Sequence, residues 1–392
     1  MGLMAKTLSP RDVLRTLVGF DTVSSKTNRA LINWISDYLL SSGAHVEVLS
    51  ASHDDKANLF ATIGPNTPGG IVLSGHTDVV PVEGQAWDSD PFELVERNGK
   101  LFGRGTADMK SFVALAVALA PYYASLPLRR PIHFAFSYDE EVGCLGAPDL
   151  VQRLSSCKPV PEIAIIGEPT RLNLVNGHKG CDLFTLEIKG KEAHSSAPAL
   201  GTNAILYAMD FVDFLRSLFT GLEREGAGDD SFDPPYSTFN IGRIEGGEAV
   251  NIIASSCRVI WEFRTVPGND TDEILRQIEA FVRDDLEPRL RQAYPDGAVS
   301  LERFASVPML TPEPNGAAET LVRHLTGQNS GHTVAFGSEA GLFQSAGLSA
   351  VLCGPGDIAQ AHQPNEFITL EQFEAGEAFL RRVGDWATSS AS

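Results

Sequence analysis

Residues 132–147 read "IHFAFSYDEEVGCLGA". The run Ile132–Ser137 is apolar and β-rich, which predicts a buried strand. Asp139, Glu140 and Glu141 follow it directly. Three adjacent carboxylates repel one another, and buried acids persist only when paired, hydrogen-bonded or bound to metal. A strand that ends in such a cluster places its chemistry at a sheet edge, where ligands of α/β proteins sit.

Other strands end in the same way. Ile71–Ser74 leads into "GHTDVVP", whose extended period puts His76 and Asp78 on one face. Glu162–Ile166 leads into "GEPT" with Glu168, and Ser349–Cys353 into "GPGDIAQAHQPNEF" with His362. "LFGRGTADMKS" sets Asp108 on a Gly-rich turn before a helix. Each residue has an ordinary reading alone: a surface histidine, a solvated acidic loop, a helix cap for Asp108, a turn residue for Glu168. Their joint occurrence after apolar runs favours convergence. A mixed His/carboxylate set suits Zn²⁺ or a similar ion, whose charge offsets the repulsion. Two ions about 3.5–4 Å apart, sharing one carboxylate, need five protein ligands. One further carboxylate must stay off the metals to accept a proton.

Around these ends the first part of the chain alternates helix and strand. Helices are predicted at Pro10–Val18, Arg29–Leu40 and Ser111–Ser125, with strands at Asn58–Ile63, Ile71–Ser74, Ile132–Ser137 and Glu162–Ile166. A mixed α/β sheet with helices on both faces follows. After Lys179 the pattern becomes β-α-β-β-α-β, a ferredoxin-like α+β unit. Its elements are Cys181–Lys189, Thr202–Leu218, Ser237–Ile244, Ser255–Arg264, Thr271–Leu290 and Val299–Phe304. The α/β pattern resumes with Asn315–Leu325, Thr333–Phe336, Ser349–Cys353 and Leu370–Trp386. One domain (179–306) is therefore expected to be inserted into another (1–178 and 307–392), leaving "ATSSAS" as a frayed tail.

The 392 residues suffice for two cores. A net charge of −19 argues against a nucleic acid or an anionic membrane as partner. The first residues lack the apolar core of a secretion signal, and the longest apolar segment, Phe112–Tyr123, is too short to span a bilayer. Five cysteines without metal spacing fit a reduced, cytoplasmic protein.

Taken together, "SGHTDVVP", "GRGTADMKS", "YDEEVG", "GEPT" and "AHQPNEF" resemble the M20 family of two-metal aminoacylases and peptidases, over nearly the whole chain and in the same order. The resemblance implies two zinc ions, for which cobalt can substitute, bridged by Asp108. His76 and Glu168 would complete one site, and Glu141 and His362 the other. Glu140 would be the general base, and Asp78 would hydrogen-bond the far nitrogen of His76. The family also has a cis bond after the bridging acid, here Asp108–Met109, and leaves Asp139 as a local structural residue. The inserted unit would be a lid and dimerisation domain, making a homodimer. In "KGKEAHSSAPALGTNAI", His194 would steady an oxyanion. Asn251 in "GGEAVNII" and Arg264 in "IWEFRTVPG" would contact substrate, Arg264 holding a carboxylate or else forming a strand-end salt bridge.

The implied reaction is hydrolysis of a small-molecule N-acyl amino acid. N2-acetyl-L-ornithine is the expected substrate, and Glu339 a candidate partner for its side-chain ammonium. Desuccinylation of succinyl-diaminopimelate, or cleavage of a small dipeptide, would use the same metal chemistry. An inactive metal-stabilised binding protein is the non-enzyme alternative, and an unliganded Glu140 argues against it.

Overall fold

The computed structural model describes residues 7–51, 55–226 and 228–389. The chain divides into two compact units. The first comprises Met1–His178, Leu310–Thr333 and Ser338–Ser392, and the second Lys179–Met309 and Val334–Gly337.

In chain order the first unit supplies β1 (His45–Ser50), β2 (Ala57–Ile63), β3 (Ile71–His76), β4 (Val95–Arg97), β5 (Lys100–Phe102), β6 (Ile132–Ser137), β7 (Ile163–Pro169) and β8 (Val175–His178). The second unit follows with β9 (Gly180–Lys189), β10 (Thr238–Gly246), β11 (Ser256–Thr265) and β12 (Ala298–Val307). The remaining strands are β13 (His332–Val334), β14 (Ser349–Gly354) and β15 (Phe367–Thr369).

The large sheet has the order β1-β2-β6-β3-β7-β14-β8-β13. Its centre is parallel: β3 pairs in parallel with β6 and β7, and β14 with β7. Every residue of β3, β6 and β7 is buried, as expected for strands covered on both faces. The wholly buried Lys110–Ala118 helix packs on β3 and β7 and is itself covered by the Pro10–Val18 and Leu370–Thr388 helices. Its approach to β7 requires glycine at position 167, where a methyl group would fall on the Phe112 ring. The Ala147–Ser155 and Ala340–Ser345 helices pack on each other and on the sheet. A small sheet of order β15-β5-β4 completes the unit.

The second unit is a four-stranded antiparallel sheet of order β10-β11-β9-β12. Its chain order β-α-β-β-α-β and this strand order are those of a ferredoxin-like unit. Burial alternates along β11, so that Cys257, Val259, Trp261 and Phe263 face inward. There they meet Phe211 and Leu215 of the Ala204–Glu225 helix and Ile274 and Ile278 of the Thr271–Phe281 helix.

Two helices expected as single pieces are broken, and proline explains both. The Ser111–Ser125 segment divides into Lys110–Ala118 and Ala120–Ser125, because Pro121 has no N–H to continue the ladder. Thr271–Leu290 becomes Thr271–Phe281, a π turn over Val282–Leu286, and Glu287–Ala293. Here the Pro288 ring clashes with a regular α-helical carbonyl one turn earlier, and the wider turn accommodates it. At the C-terminus the last helix runs to Thr388, and residues 390–392 of the expected frayed tail lie outside the described residues. Among the described residues no helix is long and apolar enough to cross a membrane, and all five cysteines are free thiols.

Candidate metal centre

The C-terminal ends of β6, β3, β7 and β14, four neighbours in the parallel part of the sheet, deliver the polar residues to one edge. His76 closes β3, Glu168 lies in β7, the acidic turn follows β6, and His362 follows β14 by a short 3-10 turn. Asp108 sits in the loop before the Lys110–Ala118 helix, and its peptide bond to Met109 is cis.

Among the described residues two groups offer ligand atoms that lie within 4.8 Å of one another: His76, Asp108 and Glu168, and Asp108, Glu141 and His362. Asp108 belongs to both and divides its oxygens between them. Oδ1 is 3.0 Å from His76 Nε2, and Oδ2 is 3.5 Å from His362 Nε2. His362 Nε2 also lies 3.0 Å from Glu141 Oε2.

His76 Nδ1 is 2.9 Å from the Asp78 carbonyl oxygen. A carbonyl only accepts, so Nδ1 carries the proton and, in the neutral ring, Nε2 keeps its lone pair toward Asp108. The expected partner, the Asp78 carboxylate, is farther away at 3.6 Å. Main-chain geometry puts the carbonyl nearer, and the carboxylate turns to other donors. It accepts from the Ser24 hydroxyl at 2.7 Å and from the Glu140 and Glu141 N–H groups at 3.1 and 3.3 Å. Asp78 thus orients His76 through its backbone and holds the acidic turn through its side chain.

The three adjacent acids are held by different means. Asp139, with φ 55°, is buried against Lys56 Nζ at 2.6 and 2.8 Å, and the same ammonium donates to the Ser24 carbonyl. Glu141 faces His362. Glu140 belongs to neither ligand group, and the Cys144 thiol lies 3.5 Å from its Oε1. Lys56→Met, which removes one member of an ion pair whose side chains are only 12% and 8% exposed, should destabilise the protein by about 3–5 kcal/mol. Urea unfolding of the metal-free protein measures this, and a change within experimental error would show that the pair does not hold the turn.

Electrostatically the site is short of positive charge. Burial, and then neighbouring carboxylates, push Glu140 and Glu168 well above the usual carboxylate range. Glu141 is pushed up to about 7 by burial and by Asp108. Although burial opposes a charge on His76, Asp108 and Asp78 draw its imidazole upward, and Asp108 and Glu141 draw His362 up to about 10. Asp108, hydrogen-bonded by both imidazoles, and Asp78, beside His76 and bonded by Ser24, are held low against the effect of their burial. Most of these groups therefore favour taking a proton, which is the demand that divalent cations meet. Glu168 Oε1 is buried with no hydrogen-bond partner among the described residues, an orphan acceptor that a cation would satisfy. The residues fit two divalent ions.

The other predicted residues belong to the second unit or lie deeper in the first. His194 is exposed, with Nδ1 accepting from the Ser196 N–H at 3.2 Å, so in the neutral ring Nε2 is the donor. Asn251 is nearby, its carbonyl accepting from the Ser195 N–H at 3.0 Å. Arg264 grips Glu262 with two hydrogen bonds of 3.0 and 3.2 Å and reaches the Ala335 carbonyl, the salt-bridge arrangement of the two foreseen for it. Glu339, the candidate partner for a substrate ammonium, lies in the first unit. It is 1% exposed, lies 3.4 Å from Ser74 Oγ, and burial pushes its carboxyl up to about 7.

Sequence reasoning missed Lys56, Ser24, Arg104 and Glu366, all of which touch the loops that carry the site. Arg104 and Glu366 stand inside "GRGTADMKS" and "AHQPNEF", and a charged residue in a predicted buried turn was the available signal.

The sheet with its inserted ferredoxin-like unit, and an acid shared by two ligand groups, define a two-metal hydrolase architecture. Residues 72–384 match the profile of peptidase family M20/M25/M40, and the chain belongs to that family. It is 35% identical to an acetylornithine deacetylase of Myxococcus xanthus, covering 95% of this chain and 96% of that protein. It is 34% identical to an acetylornithine deacetylase of Pasteurella multocida, covering 95% of each. In fold it is similar to an M20 family metallo-carboxypeptidase from Sulfolobus solfataricus, with a TM-score of 0.76 at 16% identity, over 97% of this chain and 99% of that one.

Proposed function

We propose that the protein is a metal-dependent amidohydrolase that converts N2-acetyl-L-ornithine to acetate and L-ornithine, a step of arginine biosynthesis. The observation that carries this reading is Asp108 facing two ligand groups with its two oxygens while Glu140, beside them, belongs to neither. The amino-acid substrate rests on the likeness to acetylornithine deacetylases over nearly the whole chain.

His76, Asp108 and Glu168 would hold one zinc and Asp108, Glu141 and His362 the other, with cobalt able to replace either. When bound, the ions supply Lewis acidity that acidifies a water and polarises the acyl carbonyl. Glu140 takes the proton of the attacking water and passes it to the leaving amine. Asp78 keeps Glu140 in place through its N–H and keeps the Nε2 lone pair of His76 available. His194, whose Nε2 is a donor, would steady the developing oxyanion. Asn251 would contact substrate, and Arg264 would hold the carboxylate once its fork exchanges Glu262 for it. The inserted unit would serve as lid and as homodimer contact; Leu206, Met209 and Val250 give it exposed apolar surface. A cytoplasmic location is part of the same proposal.

The test strips the protein with a chelator, reconstitutes it with Zn²⁺ or Co²⁺, and assays N2-acetyl-L-ornithine, N-succinyl-diaminopimelate and a dipeptide in parallel. Activity should vanish on stripping, return with metal, and be highest on acetylornithine. Full activity after verified metal loss would remove the mechanism, and a preference for another substrate would reassign the specificity.

A further inference from the structure

The mechanism leaves unused a buried ion pair beside the site. Arg104 and Glu366 are each 1% exposed, with Nη1 and Oε2 2.7 Å apart. Neither belongs to a ligand group. Isolated buried pairs add little net stability, so a retained one is more informative about what it positions.

Glu366 Oε1 accepts from the Ala107 N–H at 2.8 Å and from the N–H of Asp108 itself at 3.1 Å. Arg104 donates to the carbonyl of Gln363, the residue after His362, at 3.3 Å and to Gln85 Oε1 at 2.5 Å. The Gln85 amide returns a hydrogen bond to the His362 carbonyl at 2.9 Å. The pair therefore ties the loop of Asp108 to the loop of His362.

The two ligand groups differ in how much they need this. His76 and Glu168 lie in β3 and β7 at the sheet centre, His76 in register with Ser137 of β6 and Glu168 between residues of β7 that pair with β14. His362 lies outside any strand, at φ 64°, with its side chain 50% exposed. Its position is set by what grips its loop.

We infer that Arg104 and Glu366 are positioning residues for the second ion, fixing His362 against Asp108 so that the Asp108–Glu141–His362 group binds its metal tightly. The inference rests on the two-ion reading. Partners that orient a metal ligand are worth about 10–100-fold in metal affinity, and the His76–Asp108–Glu168 group should not share this dependence.

Arg104→Lys tests it, because lysine keeps a cation beside Glu366 and leaves the bonds to the Asp108 backbone, but cannot reproduce the fork that reaches Gln363 and Gln85. Metal-free protein is titrated with Co²⁺ alone, following the visible absorption and heat of each binding event. The native chain should bind two ions. Arg104→Lys should bind the first unchanged and the second about 10–100-fold more weakly. Gln85→Ala, a change outside the core that folding tolerates, should weaken the second ion alone to a lesser degree, and it decides the matter if Arg104→Lys does not fold. Equal weakening of both ions, or no change in the second, overturns the inference while leaving the two-ion reading intact. A native chain that binds fewer than two ions overturns that reading and the inference with it.

Discussion

Glu140→Gln is expected to retain both metal ions and near-normal substrate binding, yet to lose kcat by about 10²–10⁴-fold, the usual contribution of a general base. The substitution keeps the volume and the backbone N–H that Asp78 Oδ1 accepts. It also keeps an oxygen able to face the Cys144 thiol. What it removes is the carboxylate that takes a proton. Glu141→Gln next door changes the same charge by the same amount, but Glu141 lies 3.0 Å from His362 in a ligand group. An amide is a poor ligand for a dication, so bound zinc should fall from two ions toward one. A purely structural acidic cluster would respond alike to both changes. Near-native turnover of Glu140→Gln, or loss of metal as ready as in Glu141→Gln, would refute the base assignment; kcat, KM and metal content on the same samples decide it.

The parts of the molecule that were legible in the sequence are those governed by period and burial. The continuous apolar runs of β3, β6 and β7 announce strands covered on both faces, and the acids and histidines that follow them mark the edge where they end. The ferredoxin-like unit was legible because its strands alternate and its helices are long. Less legible was whatever depends on side chains meeting across long sequence separations. Nothing local in "KANLF" says that Lys56 will reach Asp139, or that Glu366 will receive the N–H of Asp108. The Asp78 carboxylate meets a related limit. Spacing puts it on the same face as His76, but spacing cannot show that its own carbonyl lies closer to Nδ1. The burial of Glu339 was equally hidden, since it opens a six-residue helix packed on the sheet. Short edge elements such as β4 and β5 gave too few residues for any period to show.

Asp108→Asn should be the most damaging single change at the centre. Each other ligand belongs to one group, so its loss should remove one ion; Asp108 alone belongs to both. Asparagine would present one neutral oxygen where two charged ones now face His76 and His362. Both sites then lose their shared ligand, and one unit of negative charge disappears from between the two dications. Bound zinc should fall from two ions to near zero, and hydrolysis to background, whereas Glu168→Gln and Glu141→Gln should each retain about one. Thermal unfolding gives a readout independent of activity. A ligand at about a thousand times its dissociation constant stabilises a native protein by about 4 kcal/mol per site. The native chain should therefore melt at a clearly higher temperature when Zn²⁺ is added, each single-site variant should show a smaller rise, and Asp108→Asn should show none. An Asp108→Asn protein that still binds one zinc tightly, and melts later in its presence, would mean that Asp108 serves one ion only and that the centre is not bridged.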